Sequence, residues 1–186
     1  MRRLTTVLFG VLLSIGFAAS ASALSVDPNP LSFSGGGFFG ATEGTISFDL
    51  SGTTLTMEIT VDKGKLSRAK IKTTDTGGAA RSVVDAGSFG GTGVNVRRVR
   101  ILSDGSVMFY FKSSFFHQHI HAGQTSDPFY ITYASLGAGD TITFTGYRHL
   151  IFGSFGSAQA TIVPEPSAAI LVGLGIAGLA FAGRRR

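Results

Sequence analysis

The chain is 186 residues long and lacks both cysteine and tryptophan. Without cysteine, the protein has no disulfide bond, no thiol nucleophile, no cysteine-containing zinc site and no cysteine for lipid attachment. A folded domain must therefore gain its stability from a hydrophobic core. The roughly 140 residues between the two ends are enough to form one.

Charged residues are scarce, and the surplus of positive charge lies at the two ends of the chain. Lysine and arginine number 16 and the acidic residues 11, which gives a formal net charge of +5. Five of these bases and one of the acids lie outside residues 24–163, so this middle region holds 11 bases and 10 acids. Because a nucleic-acid-binding domain needs a basic stripe, this near balance predicts no nucleic-acid partner.

One basic run does lie inside the middle region, formed by Arg97, Arg98 and Arg100. In a strand, alternation of side chains would split this run across two faces. We therefore interpret it as a solvated strand face. The alternative is a contact to an anion or a polysaccharide.

The N-terminal residues have the organisation of an export signal. Arg2 and Arg3 form a basic start, residues 4–19 are largely apolar, and Ala21 and Ala23 form an A-x-A cleavage site. We predict a signal peptide over residues 1–23 that is removed after Ala23. Cleavage after Ala21 is the alternative.

The C-terminal residues combine a proline-rich motif, an apolar run and a basic end. The motif Pro164-Glu165-Pro166 precedes residues 167–183, a run of 17 residues without charge. As a helix this run would extend about 25 Å, which is at the short end of what a bilayer core of about 30 Å requires. The terminal arginines would stay on the cytoplasmic side and reach into the headgroups. These basic residues are Arg184, Arg185 and Arg186.

This combination resembles the PEP-CTERM sorting signal of Gram-negative bacteria, and it covers residues 163–186. The resemblance implies that exosortase, a membrane-embedded cysteine peptidase, reads the motif and processes the chain beside it. It also implies an association with exopolysaccharide and biofilm matrix. The prolines fix their own φ angles and favour extended neighbours, so Glu165 is expected on a stiff, non-helical segment. The alternative is an ordinary C-terminal anchor with a proline-rich linker.

The middle region has the alternation of β-strands. In residues 54–61, Leu55, Met57, Ile59 and Val61 alternate with polar residues, which is typical of a strand with one buried face. Similar runs occur at residues 45–50, 68–74, 94–102, 106–111, 129–133, 141–147 and 159–163. Asp104-Gly105 fits a two-residue hairpin turn. The sequence predicts an all-β, antiparallel β-sandwich ectodomain over residues 24–162, followed by a single C-terminal transmembrane helix.

Two details of this fold prediction can be checked residue by residue. The glycine-rich segments 34–44 and 76–93 are expected to be loops. The side chains predicted to point inward are Leu55, Met57, Ile59, Phe109, Phe111, Ile131, Ile142 and Phe144.

The middle region contains one group of side chains with metal-ligand chemistry. His117, His119 and His121 would share one face of a strand, and His149 or Asp127 would supply a further ligand. We expect ordinary surface histidines and no bound metal, because turn residues follow closely. GxSxG elbows, DxDxDG calcium loops and a distinguishable carboxylate pair are all absent from the sequence. The sequence therefore predicts no enzyme activity and no cofactor.

These observations predict an exported, exosortase-processed surface or matrix protein. It would be membrane-anchored before processing. Its predicted partners are exosortase and exopolysaccharide. A first alternative is a carbohydrate-binding module that stacks Phe38, Phe39 or Tyr147 on sugar rings, which the absence of tryptophan weakens. A remote alternative is a metal-binding protein that uses the histidine group.

Overall fold

All regular secondary structure is β in the part of the chain that the structure describes. The computed structural model describes residues 23–37, 40–112, 119–148 and 154–165, and these contain no helix. The strands are β1 Leu24–Asp27, β2 Leu31–Gly37, β3 Gly40–Ser51, β4 Thr54–Lys63, β5 Lys65–Leu66, β6 Arg68–Thr74, β7 Val83–Ser88, β8 Asn95–Ile101, β9 Val107–Lys112, β10 Ile120–His121, β11 Gln124–Thr125, β12 Phe129–Tyr133, β13 Thr141–Tyr147 and β14 Ser154–Pro164.

The strands form two large sheets and one small one. Sheet I has the order β1-β14-β13-β6-β9-β8, and sheet II has the order β2-β3-β4-β12-β7 with β11 also paired to β4. Strands β5 and β10 form a separate two-stranded sheet. The described ladders between these strands are antiparallel. The prediction of an all-β, antiparallel domain is confirmed.

Aromatic rings from the two large sheets meet in one hydrophobic core. Phe33 of sheet II packs against Phe144 of sheet I with ring centroids 4.8 Å apart. Phe109 of sheet I packs against Phe129 of sheet II at 4.4 Å. The two sheets therefore face each other, as in a sandwich. All eight side chains predicted to point inward are at most 1 % exposed, which confirms that part of the prediction.

The hairpin between β8 and β9 turns at the predicted place, but its loop has three residues and not the predicted two. The N–H of Gly105 donates to the Leu102 carbonyl, and the N–H of Leu102 donates to the Ser106 carbonyl. Gly105 has a φ of 75°, which a residue with a side chain adopts only at a cost. Asp104-Gly105 therefore marks the position of the turn, but the loop comprises residues 103–105, with Gly105 in the left-handed position of a three-residue hairpin.

The prediction that residues 34–44 and 76–93 are loops is wrong for residues 34–37, 40–44 and 83–88, which are strands, while residues 76–79 and 89–93 contain no strand. Residues 35–37 and 40–42 pair as the end of the β2–β3 hairpin, and β7 lies within the second segment. A Cβ at Gly44 would collide with the Phe33 ring and the Thr60 carbonyl, and one at Gly87 would contact the Tyr130 ring. Gly44 and Gly87 thus occupy strand positions that neighbouring groups approach closely, and they do not interrupt their strands.

Two buried polar contacts tie loops and strands to the core. The Arg81 guanidinium donates to both carboxylate oxygens of Asp140, at 2.8 and 2.6 Å, and Asp140 is 1 % exposed. The Thr73 hydroxyl donates to the buried Tyr133 hydroxyl oxygen at 2.7 Å. Burial raises the pKa of Tyr133 to about 12, while the Thr73 hydrogen bond acts in the opposite direction.

Residues Leu24–Val163 form one compact unit. Within the described ranges no helix is long and apolar enough to span a membrane. The predicted transmembrane segment, residues 167–183, lies outside those ranges, as do most of the predicted signal peptide and the terminal arginines.

Candidate functional site

The predicted processing motif begins at the last residue of β14. Strand β14 ends at Pro164, and Glu165 continues the chain without helical or turn structure. Val163 is half-buried, whereas Pro164 and Glu165 are exposed. The first two residues of the motif are therefore extended and accessible. The third, Pro166, lies outside the described residues.

The main chain of the motif contacts the residue predicted to precede the signal cleavage site. The N–H of Glu165 donates to the Ala23 carbonyl at 2.7 Å. Strands β1 and β14, which adjoin these two residues in sequence, are neighbours in sheet I. Two positions that are 142 residues apart in sequence, and that we predict to be processed by different peptidases, thus lie side by side. Ala21 falls outside the described part of the chain.

The structure describes two of the four histidines that were named as candidate metal ligands. His119 immediately precedes β10 and His121 ends it, and their ring centroids are 6.1 Å apart. The N–H of His121 donates to the Gln124 side-chain oxygen at 2.9 Å. His117 and His149 lie outside the described ranges. Among the residues inside them, no group of three or more histidines and carboxylates is placed to hold a metal.

The other suggested ligand, Asp127, has a role in a loop. Its carboxylate is 1 % exposed, and one oxygen accepts the N–H of Gly93 at 2.6 Å. The N–H of Asp127 itself donates to the Val94 carbonyl at 3.0 Å. These contacts hold the loop that follows β7 against the start of β12.

The basic run 97–100 lies on β8, at the edge of sheet I. A β-bulge between Val96 and Arg98 interrupts the register with β9, so Arg98 pairs with Tyr110 and Val99 with Phe109. All three arginines of the run are exposed, as expected for a solvated strand face. The bulge was not predicted, because nothing in the sequence marks it.

Next to this run, aromatic and basic side chains form a row across the outer face of sheet I. The Arg68 guanidinium lies 5.0 Å from the Tyr147 ring centroid and 5.9 Å from that of Tyr110. Arg98 lies 5.9 Å from the Tyr110 centroid. These distances are those of cation–π contacts. This row was not predicted from the sequence, although the alternation of residues 68–74 already places their three bases on one face.

These features define an all-β, antiparallel domain in which strand β14 ends at the exposed Pro164 and is followed by the exposed Glu165. The family model of the PEP-CTERM protein-sorting motif matches residues 163–186, so the chain carries this motif at the end of β14. Exosortase recognises the motif, which makes this an exported protein that is sorted to the cell surface. No curated protein and no solved structure matches the chain.

Proposed function

We propose that the chain is a non-enzymatic surface or matrix protein of a Gram-negative bacterium. A C-terminal helix anchors it until exosortase cuts at or beside Pro164-Glu165-Pro166. Its folded domain then resides in the exopolysaccharide layer.

The observation that carries this proposal is the geometry of Pro164 and Glu165. Peptide-recognising proteins commonly bind a substrate segment as an extended strand, because its main-chain groups are then free to pair. Both residues are exposed, and they continue an existing strand without a turn. The enzyme therefore meets the Glu165 side chain on a segment that is already extended, and little conformational entropy remains to be lost.

The buried carboxylates of the domain support a structural role. Asp140 is held by Arg81, and Asp127 accepts a main-chain N–H from a loop. Both contacts fasten one loop to another. This is consistent with a domain whose function lies in its surfaces.

The carbohydrate-binding alternative depends on Phe38, Phe39 and Tyr147, of which the structure describes only Tyr147. That ring is half-buried, and the Arg68 guanidinium lies over it. A sugar that stacked on this ring would have to share it with Arg68. We therefore give this alternative second place and include an anionic polysaccharide in the experiment below.

Substituting the motif glutamate tests the proposal. A Glu165→Ala chain should remain a full-length precursor in the membrane fraction, because exosortase loses the side chain that it recognises. Glu58→Ala, which removes an exposed glutamate from β4, is the matched control and should be processed normally. Processing of both variants to the same mature size would rule out recognition through Glu165.

A further inference from the structure

The near-neutral charge of the domain conceals a separation of charge between its two large sheets. The strands of sheet I contain seven basic residues and one acid, which are Arg68, Lys70, Lys72, Arg97, Arg98, Arg100, Lys112 and Asp27. Those of sheet II contain five acids and one base, which are Glu43, Asp49, Glu58, Asp62, Asp85 and Lys63. The sign of the charge thus differs between the two sheets.

Alternation along β3, β4 and β6 directs their charged side chains outward. In β6, Arg68, Lys70 and Lys72 are partly exposed, while the residues between them are buried in the core. In β3 and β4, Asp49 and Glu58 are exposed and their neighbours along the strand are buried or half-buried. The outer face of sheet I is therefore basic, and the outer face of sheet II is acidic.

Ion pairs within each face do not change its sign. On sheet I, Lys70 pairs with Asp104 at 2.8 Å. On sheet II, Lys63 pairs with Glu43 at 3.6 Å, and both side chains are largely exposed. Each pair involves one base and one acid, so the remaining surplus keeps sheet I positive and sheet II negative.

We propose that copies of this chain associate by docking the basic outer face of sheet I on the acidic outer face of sheet II of the next copy. A second copy accounts for both charged faces at once, whereas an anionic polymer would account only for the basic one. The contact is heterologous, because two different faces of the molecule meet. Each added copy leaves one face of each sign free, so association continues into linear assemblies. This inference does not depend on how the C-terminus is processed.

The size of the faces is sufficient for a specific but weak contact. Sheet I has six strands. At about 4.8 Å between strands and about 3.3 Å per residue, such a face measures on the order of 500–600 Å². Two faces would bury roughly 1,000–1,200 Å², the lower end of specific interfaces. Since the attraction joins exposed charges, salt should weaken it.

Two charge-reversal variants of the full chain, purified in a nonionic detergent, test the docking. The first, Arg98→Glu with Arg100→Glu, alters only sheet I, and the second, Asp49→Lys with Glu58→Lys, alters only sheet II. These four residues are exposed, so the circular dichroism spectrum should stay that of the wild type. The control is Lys65→Glu in the two-stranded sheet, which reverses an exposed charge that does not belong to a strand of either large sheet.

Sedimentation velocity at about 20 mM and about 500 mM salt should separate the outcomes. The wild-type chain and the control should associate at low salt and dissociate at high salt. Each double variant alone should associate at least about tenfold more weakly. An equimolar mixture should form one-to-one pairs, because the unaltered sheet I of the second variant meets the unaltered sheet II of the first.

Other results would overturn the proposal. Wild-type chains that stay monomeric at low salt would contradict it, as would a mixture that associates no better than its components. Polygalacturonate serves as the anionic polymer probe. If it binds the wild type and the sheet II variant but not the sheet I variant, and no self-association occurs, then the basic face serves a polysaccharide and not a second copy.

Discussion

At the scale of single residues, the outward and inward positions followed from the sequence, and the contacts between distant residues did not. Alternation in residues 54–61 was sufficient to place Leu55, Met57 and Ile59 in the core. By contrast, the contact of Arg81 with Asp140 joins two loop residues that are 59 apart in sequence. Nothing in the local pattern around either residue predicts its partner, because the contact depends on how the sheets bring the loops together.

Burial of Tyr133 predicts a loss of stability at alkaline pH. The pKa of this tyrosine is about 12 in the folded chain, against about 10 when unfolded. Its contribution is therefore fully present below about pH 10 and is lost as the pH rises towards 12, by roughly 2–3 kcal/mol. Urea unfolding across this pH range should show a steeper decline for the wild type than for Tyr133→Phe. Parallel curves for the two proteins would contradict the burial of the ionising group.

At the scale of elements, strands with regular alternation were predicted and glycine-rich strands were not. Strands β6, β12 and β13 have the predicted boundaries, because their apolar residues recur at every second position. Strands β3 and β7 contain glycines, Gly44 and Gly87, at positions that a side chain of a neighbouring strand approaches. A sequence does not distinguish a glycine in a strand from a glycine in a loop. The difference depends on the residues that pack against the glycine in the folded chain.

The two glycines Gly44 and Gly87 should respond differently to alanine. A Cβ at Gly44 meets the Thr60 carbonyl as well as the Phe33 ring, and the main chain of a central strand cannot move away easily. We expect Gly44→Ala to lower the free energy of unfolding by about 1–3 kcal/mol. At Gly87 the added atom meets the far end of the Tyr130 side chain, which can rotate, so the loss should be smaller. Chemical unfolding of both variants measures this, and an equal or reversed order would contradict the account of glycine in these strands.

The two processing steps are expected to occur in a fixed order. The N–H of Glu165 donates to the Ala23 carbonyl, and cleavage after Ala23 would remove that acceptor together with the signal peptide. The main chain of the motif then becomes free to pair with a peptidase. Replacing Ala21 and Ala23 by phenylalanine should block signal cleavage and should also slow cutting at the motif.

The order can be followed with different epitope tags at the two ends of the chain. The control replaces Ala41, an alanine of β3 remote in sequence from both ends, by serine and should leave both steps unchanged. If the C-terminal tag is lost at the wild-type rate while the signal peptide remains attached, the two steps are independent.

At the scale of the whole molecule, composition placed the charge surplus in the targeting segments, and only the sheet order revealed how the remaining charges are arranged. The count of 11 bases and 10 acids in residues 24–163 suggested an electrostatically unremarkable domain. Assigning each strand to its sheet separated most of these charges by sign. Sequence alone cannot make this assignment, because strands that are distant along the chain become neighbours, as β6 and β13 do.

The proposed function depends on export of the chain followed by a cut beside Pro164-Glu165-Pro166. The most direct test is the intact mass of the protein isolated from cells that contain exosortase and from cells that lack it. With the enzyme, we expect a chain that begins at Leu24 and ends at or beside residues 164–166. Without it, the chain should begin at the same residue and extend to Arg186. The same intact mass in cells with and without exosortase would contradict cleavage at the motif.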